Sequence, residues 1–519
     1  MRARSIIVAA VLLAAFWFQA AGIARAMMRD WVDDAFFYVI VADSVVEGRG
    51  STSDGIGATN GYHPLWMAVH VLVRAVTTNP LPVLAVLQFV LLAAALLLLH
   101  RWVAPLAGPG IALILCLVAV YERTFARVLA TGMETHLAFV ALLVVLLLLR
   151  RGDTRGPALQ AALLALFFAR LDGGLLWVVL AVLLLRKEGF APVLRLFAVP
   201  ASMAGVYLSW NLVAFGTAMP ISGRIKATDW RQLADLVPGF DRLLLLFVPQ
   251  TFDWPARLTP WDPFRSGAST TIWILYLLAV ALALAVWLRL LAREGKLDLA
   301  VRVLVGYGLL HALYYSVLQR DRYSLSWARG PELLLLTTCV ASLLARMARP
   351  LLALPGMARV ARAATAGAAL VLFASMWAHF RYEAHHAGTI RDYTTGIDQF
   401  DQGVAWVRAH TGAQEVIASE SIGFLGWFAD RPIVSLDGLL NSLPYYRDYL
   451  RPRRVGTYLR EHGVRYIAQA LRKDVEPLPY MSEVLHVPAD SLRVAASFDG
   501  TKRNPRRYLV FELSRSVTP

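Results

Sequence analysis

The chain predicts a polytopic α-helical membrane protein that carries a C-terminal α/β domain. Three observations predict it. Of its 519 residues 58% are hydrophobic and only 17% are charged, with a mean hydropathy of +0.54, far above the composition of an average soluble domain. Apolar runs of about 20 residues, the length that spans a hydrocarbon core about 30 Å thick, recur through the first 380 positions and then cease. The cationic residues of that region cluster in short loops between the runs.

Taken in order, the first run is Ser5 to Ile23, after Arg2 and Arg4. It ends near Ala24-Arg25-Ala26, as a cleaved signal would, but its length of about 19 residues exceeds the usual signal core of roughly 7–15, which favours a retained helix. Further spans are expected near 80–101, 108–122, 134–150, 157–170, 173–187, 190–212, 269–291, 297–318, 329–347 and 364–380, which makes about eleven with the first at 5–25. Between them lie Arg101; Arg150, Arg151 and Arg155; Arg186, Lys187 and Arg195; Arg289, Arg293, Lys296 and Arg302; and Arg346, Arg349, Arg359 and Arg362. With the N-terminus in the cytoplasm every one of these loops is cytoplasmic, as the positive-inside rule requires. The other face then receives residues 26–79, the loops around 122–135, 170–173, 213–268 and 320–329, and the tail.

Pro64 to Val76 is apolar for only about 13 residues and reads as an interfacial helix, since counting it as a span would invert every later loop. Trp230, Trp254 and Trp261 suit the same interface. From Arg381 the chain alternates short apolar stretches with charge. Strands are expected at Val416–Ala418, Ile433–Leu436, Val464–Ala468 and Tyr508–Leu513, and helices at Gly403–His410 and Val455–His462. The domain plan is therefore 1–380 in the membrane, with 26–79 as its first outer loop, and 381–519 as an extracytoplasmic α/β domain.

The net charge of +15 raises the question of nucleic acid. Residues 381–519 hold only 18 of the 51 basic residues against 16 of the 36 acidic ones, so the excess belongs to the loops between spans and nucleic acid is not a predicted partner. Cys116 and Cys339 both lie within spans, and no disulfide framework is implied.

Chemistry concentrates on the outer face. Asp33 and Asp34 adjoin the first span, where a carboxylate near hydrocarbon is costly and often functional; the plain alternative is a helix N-cap. Next comes the Gly/Asn-rich loop Gly50-Ser-Thr-Ser-Asp54-Gly-Ile-Gly-Ala-Thr59-Asn60-Gly61-Tyr62-His63-Pro64-Leu-Trp66, whose His63 suits a phosphate or hydroxyl. Glu134 opens a span and is equally a favourable first-turn acid. Arg170 and Asp172 flank a tight turn and are equally a local ion pair. Lys226, Arg224, Arg320, Arg322 and Arg329 are the outer-face candidates for a cation that meets phosphate, with snorkelling or ion pairing as the alternative for the last three.

In this ordered set the chain resembles the GT-C class of integral membrane glycosyltransferases, which take sugar from a polyprenyl-phosphate donor. The resemblance runs through Asp33-Asp34, Thr59 to Trp66, Thr131-Gly132-Met133-Glu134-Thr135, Ala169-Arg170-Leu171-Asp172-Gly173, Asn211 through Phe215-Gly216 to Pro220-Ile-Ser-Gly-Arg224-Ile-Lys226, Gly423-Phe-Leu-Gly-Trp-Phe and Ser435-Leu-Asp437-Gly438-Leu-Leu-Asn441. It is most similar to the bacterial arabinofuranosyltransferase branch. The resemblance implies a GT-C-like fold in the bacterial inner membrane and inverting transfer of arabinofuranose or another pentose or hexose to a periplasmic glycan, lipid or protein. Asp33 would act as general base beside Asp34; Asn60, Tyr62, His63, Glu134, Arg170, Asp172, Lys226 and Arg329 would bind substrate, with Lys226 on the donor phosphate. Asp33, Asp34 and His63 are also residue types that hold a divalent cation, which the sequence permits without requiring. A transporter or flippase for a lipid-linked sugar is the competing class; it would place charge near the bilayer midplane and show paired repeats, whereas here the polar motifs crowd one face.

Overall fold

The computed structural model describes residues 31–121, 128–129, 131–227, 270–318, 328–352, 398–500 and 506–514, with four scattered positions between 363 and 370. In chain order the helices are α1 (Asp33–Val46), α2 (Pro64–Val76), α3 (Pro80–Ala107), α4 (Pro109–Tyr121), α5 (Thr135–Arg150), α6 (Pro157–Ala169), α7 (Gly174–Glu188), α8 (Phe190–Phe215), α9 (Ile221–Lys226), α10 (Thr270–Arg293), α11 (Leu299–Leu318) and α12 (Gly330–Leu352). The C-terminal part follows as α13 (Asp398–His410), β1 (Ile417–Ser419), α14 (Ile422–Ala429), β2 (Ile433–Ser435), α15 (Val455–Glu461), β3 (Tyr466–Arg472), α16 (Pro477–Leu485), β4 (Leu492–Asp499) and β5 (Arg506–Leu513).

Nine of the expected spans fall on described residues, and each coincides with one of α3–α8 or α10–α12. Five of these helices, α3, α8, α10, α11 and α12, are long and apolar enough to cross a membrane. The others run 13–16 residues, about 20–24 Å of axis, close to the lengths expected for them. The expected span at 5–25, Arg320, Arg322 and the three interfacial tryptophans lie outside the described residues, and that at 364–380 does so almost entirely.

Packing divides the chain into two compact units. The first takes the described residues of Met1–Ile23, Leu87–Ala204 and Ala227–Ala384. At its centre α11 packs against α5, α7 and α12. Gly306 and Gly308 permit this closeness: a Cβ on Gly306 would lie 2.6 Å from Val179 Cγ1 of α7, and one on Gly308 3.0 Å from Leu335 Cδ2 of α12. Small residues at helix contacts serve the same purpose throughout membrane bundles. Elsewhere Trp102 of α3 donates from Nε1 to Thr338 of α12 at 3.0 Å. The Arg150 guanidinium lies 3.6 Å over the Trp102 ring and pairs with Asp298 at 3.3 Å, so one cation ties α5, α3 and the start of α11 together.

The second unit takes the described residues of Ala24–Val86, Gly205–Lys226 and His385–Pro519. A boundary drawn along the sequence at residue 380 separates these segments; packing joins them. The C-terminal part holds a five-stranded sheet in the order β2-β1-β3-β5-β4, parallel across β2, β1 and β3 and antiparallel across β3, β5 and β4. Parallel neighbours need a crossover, and α14 supplies it between β1 and β2. Strand β4, absent from the sequence reading, is an edge strand whose register shifts between Val494 and Ala496, so its apolar alternation is broken where periodicity would have revealed it.

The first loop threads into this part. Ile433 N–H of β2 donates to the Ser53 carbonyl at 2.9 Å, Ser53 Oγ to the Leu440 carbonyl at 3.3 Å, and Ile56 packs on the core under the sheet. Helix α1 lies against α14 through Phe36, whose ring centroid is 4.7 Å from Phe424 and 5.6 Å from Phe428. Two glycines of α14 make the approach feasible: a Cβ on Gly423 would overlap the Asp33 carbonyl, and one on Gly426 would lie 2.8 Å from Ile40 Cδ1.

Gly423→Ala therefore forces α1 from α14, and overpacking of this kind costs about 1–3 kcal/mol. A fall of several degrees in the thermal midpoint of the purified full-length protein is expected, with Ser421→Ala, one turn boundary away, left near wild type.

Candidate functional site

Residues from three stretches of the second unit meet beside α14 and the turn that follows β2. The N-cap residue Ser421 makes no side-chain cap to α14. The Asp33 carboxylate takes that place: Oδ2 accepts from the Gly423 N–H at 3.1 Å and Oδ1 from the Phe424 N–H at 2.8 Å. An anion at a helix N-terminus meets unpaired amides and the positive end of the dipole.

Burial nevertheless dominates the Asp33 carboxyl and pushes it up to about 7. The Phe424 and Gly423 amides pull the other way, and the neighbouring charges of Asp34 and Asp437 push up again. A carboxyl raised toward neutrality is better matched to taking a proton than a free one.

Asp34 keeps a quarter of its side chain exposed and lies 4.0 Å from Lys226 Nζ, whose side chain is 15% exposed. Lys226 closes α9, a single short helix placed by the first loop: Asn60 Oδ1 accepts from the Ile221 N–H at 3.0 Å and its Nδ2 reaches the Met219 carbonyl at 3.5 Å. The same loop is braced by Tyr62, whose hydroxyl is 2.7 Å from Ser51 Oγ. His63 precedes Pro64 at the start of α2, and its N–H donates to the Tyr38 hydroxyl at 3.3 Å. The polar atoms of Asn60 and Tyr62 are therefore engaged with their own chain.

Asp437 completes the group. Its Oδ1 accepts from Ser435 Oγ at 2.5 Å and from the Leu439 N–H at 3.0 Å. Burial pushes its carboxyl up to about 6; the Ser435 hydroxyl and Leu439 amide lower it, Asp34 raises it and Lys226 lowers it. Asp34 and Asp437 thus both feel the Lys226 charge, and each of them in turn acts on Asp33. Among the described residues no group of three or more His, Cys, Asp or Glu side chains is arranged to hold a metal ion.

A second polar cluster belongs to the first unit and gathers Glu134, Arg170 and Asp172. Arg170 Nη1 donates to Glu134 Oε1 at 2.7 Å, and Nη2 to Asp172 Oδ2 at 2.8 Å and to the Tyr315 hydroxyl at 2.7 Å. Tyr315 in turn donates to Asp172 at 2.5 Å. His311 stands between two carboxylates, with Nε2 3.5 Å from Asp172 Oδ2 and Nδ1 2.7 Å from Glu332 Oε1. All these side chains are buried, and a cavity of about 20 Å³, room for one water, opens beside Arg170, Asp172, Tyr307 and His311. Arg329 is also buried, just ahead of α12.

Of the expected site residues, the structure brings Asp33, Asp34 and Lys226 together, with Asn60, Tyr62 and His63 in the same unit. Glu134, Arg170 and Asp172 meet within the other unit. Sequence reasoning missed His311, Tyr315 and the His311–Glu332 pair, although a histidine inside the apolar run of α11 was itself the signal.

Comparison with known proteins adds the following. Residues 389–511 match a domain of unknown function, DUF8728. No curated protein matches the chain. Two crystal structures of ArnT from Cupriavidus metallidurans match across 100% of this chain and 99% of theirs, at 13% identity: the apo state with a TM-score of 0.54 and the form bound to undecaprenyl phosphate with 0.51. The chain therefore has the fold of ArnT, the GT-C-like architecture expected of it.

Within the buried cluster, Arg170→Leu would strand two carboxylates without their cation. Breaking a buried pair on one side costs about 3–5 kcal/mol, so the variant should extract poorly and melt far below wild type, whereas Arg155→Leu, at an exposed pair with Glu188, should melt with wild type.

Proposed function

We propose that the protein is a glycosyltransferase that moves a sugar from a polyprenyl-phosphate donor to an acceptor outside the cytoplasm. The observation that carries the reading is the group of carboxyls Asp33, Asp34 and Asp437, with the Lys226 ammonium 4.0 Å from Asp34, in a chain with the fold of ArnT. ArnT is a structure bound to undecaprenyl phosphate, which supports a lipid phosphate as the donor's anchor.

Such a transfer needs a base for the acceptor hydroxyl and a cation for the departing phosphate. Asp33 takes the proton as the hydroxyl oxygen attacks the anomeric carbon. The bond to phosphate breaks on the opposite face, and the configuration inverts as in a single displacement. Lys226 exchanges its Asp34 partner for the phosphate as negative charge grows there. Residues 381–519 and the first loop lie on the extracytoplasmic side in this reading. Arabinofuranose is the sugar the motif resemblance favours, and the acceptor is a periplasmic glycan, lipid or protein.

Purified full-length protein should consume one member of a panel of undecaprenyl phosphates bearing arabinofuranose, ribose, mannose, galactose or glucose. Translocation of a panel member across a vesicle membrane without its consumption would replace transfer by transport. Asp33→Asn should lower kcat by about 10²–10⁴-fold, and Asp34→Asn by less; the reverse ranking would move the base to Asp34. Because the carboxylate is the working form, kcat/KM should fall with decreasing pH through about 7, a value that belongs to the coupled group as a whole. Lys226→Ala should raise KM for the consumed donor, and unchanged kinetics would place the phosphate elsewhere.

A further inference from the structure

The carboxyl ends of parallel strands, where crossovers leave a crevice, are the customary place for working residues in α/β sheets. In the C-terminal part of this chain the two positions at the carboxyl ends of β1 and β2 are both occupied in an unusual way. After β1 comes the N-terminus of α14, which holds Asp33 by two amides. After β2 comes the turn Leu436–Asn441, which carries Asp437.

That turn is packed from two sides by segments that bear the rest of the group. A Cβ on Gly438, which has φ +81°, would lie 2.9 Å from Ile225 Cδ1, the residue beside Lys226. One on Gly61 would overlap the Leu439 carbonyl and approach Ile221. The turn therefore fits both the first loop and α9, and the charge of Lys226, next to Ile225 at the end of α9, reaches Asp437. Its Oδ1 is fixed by Ser435 and Leu439, which orients the carboxylate as a whole.

We propose that Asp437 is a positioning residue of this site: from the carboxyl end of β2 it holds the Lys226 ammonium jointly with Asp34 and keeps a negative charge beside Asp33. The C-terminal α/β part then completes the reaction centre, and is more than a platform for the acceptor. This inference rests on the transfer reading above. The groups that face Asp33 and Asp437 are Asp34 from α1, Lys226 from α9, Tyr508 from β5 and Tyr445 from the segment after the turn.

The test uses the full-length protein in nanodiscs, with the panel member it consumes as donor and undecaprenyl phosphate as a binding probe. Asp437→Asn should lower kcat about tenfold or more while undecaprenyl phosphate binds as tightly as to wild type or tighter, since a repelling charge is gone. Loss of that charge should also move the acid limb of the rate profile to lower pH by up to about one unit, because a like charge raises a neighbouring carboxyl. Asp437→Glu should restore the limb and most of the rate. A wild-type rate and limb in Asp437→Asn would overturn the proposal. So would a rate loss that comes with a collapsed thermal midpoint, an unmoved limb and no rescue by Asp437→Glu. Full activity in Asp33→Asn instead removes the transfer mechanism itself, whatever Asp437 does.

Discussion

The contact between the Asp33 carboxylate and the first amides of α14 organises the second unit. A helix that starts without its own side-chain cap leaves N–H groups unpaired, and a buried carboxylate without donors is costly. Each defect here is the remedy for the other. The pairing brings α1 onto α14 at a separation only glycine allows, which seats Phe36 between Phe424 and Phe428. With α1 so fixed, the loop that follows can add Ser53 to the β2 edge and use Asn60 to start α9. Lys226 reaches Asp34 at the end of that sequence of constraints, some 190 residues away in the chain.

The first unit solves a different problem. Charge inside an apolar bundle is tolerated when it is paired and hydrogen-bonded throughout. Arg170 meets three partners at 2.7–2.8 Å. Both ring nitrogens of His311 face carboxylate oxygens, those of Asp172 and Glu332. The result joins the 170–173 turn to α5, α11 and α12 in one hydrogen-bonded body.

The membrane fold was legible in the sequence because hydrophobic length and the placement of Arg and Lys are strong, additive signals: nine expected spans met nine helices. Part of the α/β domain was legible too, since β1, β2, β3 and β5 are apolar runs bounded by turns. Helix α14 was hidden by its two glycines, which lower helix propensity but are required by the closeness of α1. Strand β4 was hidden by its irregular register. At the site, the motif order singled out Asp33, Asp34 and Lys226, yet their common location depends on loop threading and on Asp33 capping the amides of residues 423 and 424, which no local pattern encodes. Asn60 and Tyr62 illustrate the converse: residue types suited to a sugar are engaged in holding the loop that carries them.

The buried network also bears on how the chain is made. Asp172 leaves the ribosome well before His311, so one of the two carboxylates that face the histidine already lies in the turn between α6 and α7 when α11 is made, and the other, Glu332, follows it. An isolated α11 would carry a polar ring into hydrocarbon unaided. Pairing with the Asp172 carboxylate lowers the penalty of burying the ring in a helix that is otherwise apolar enough to span.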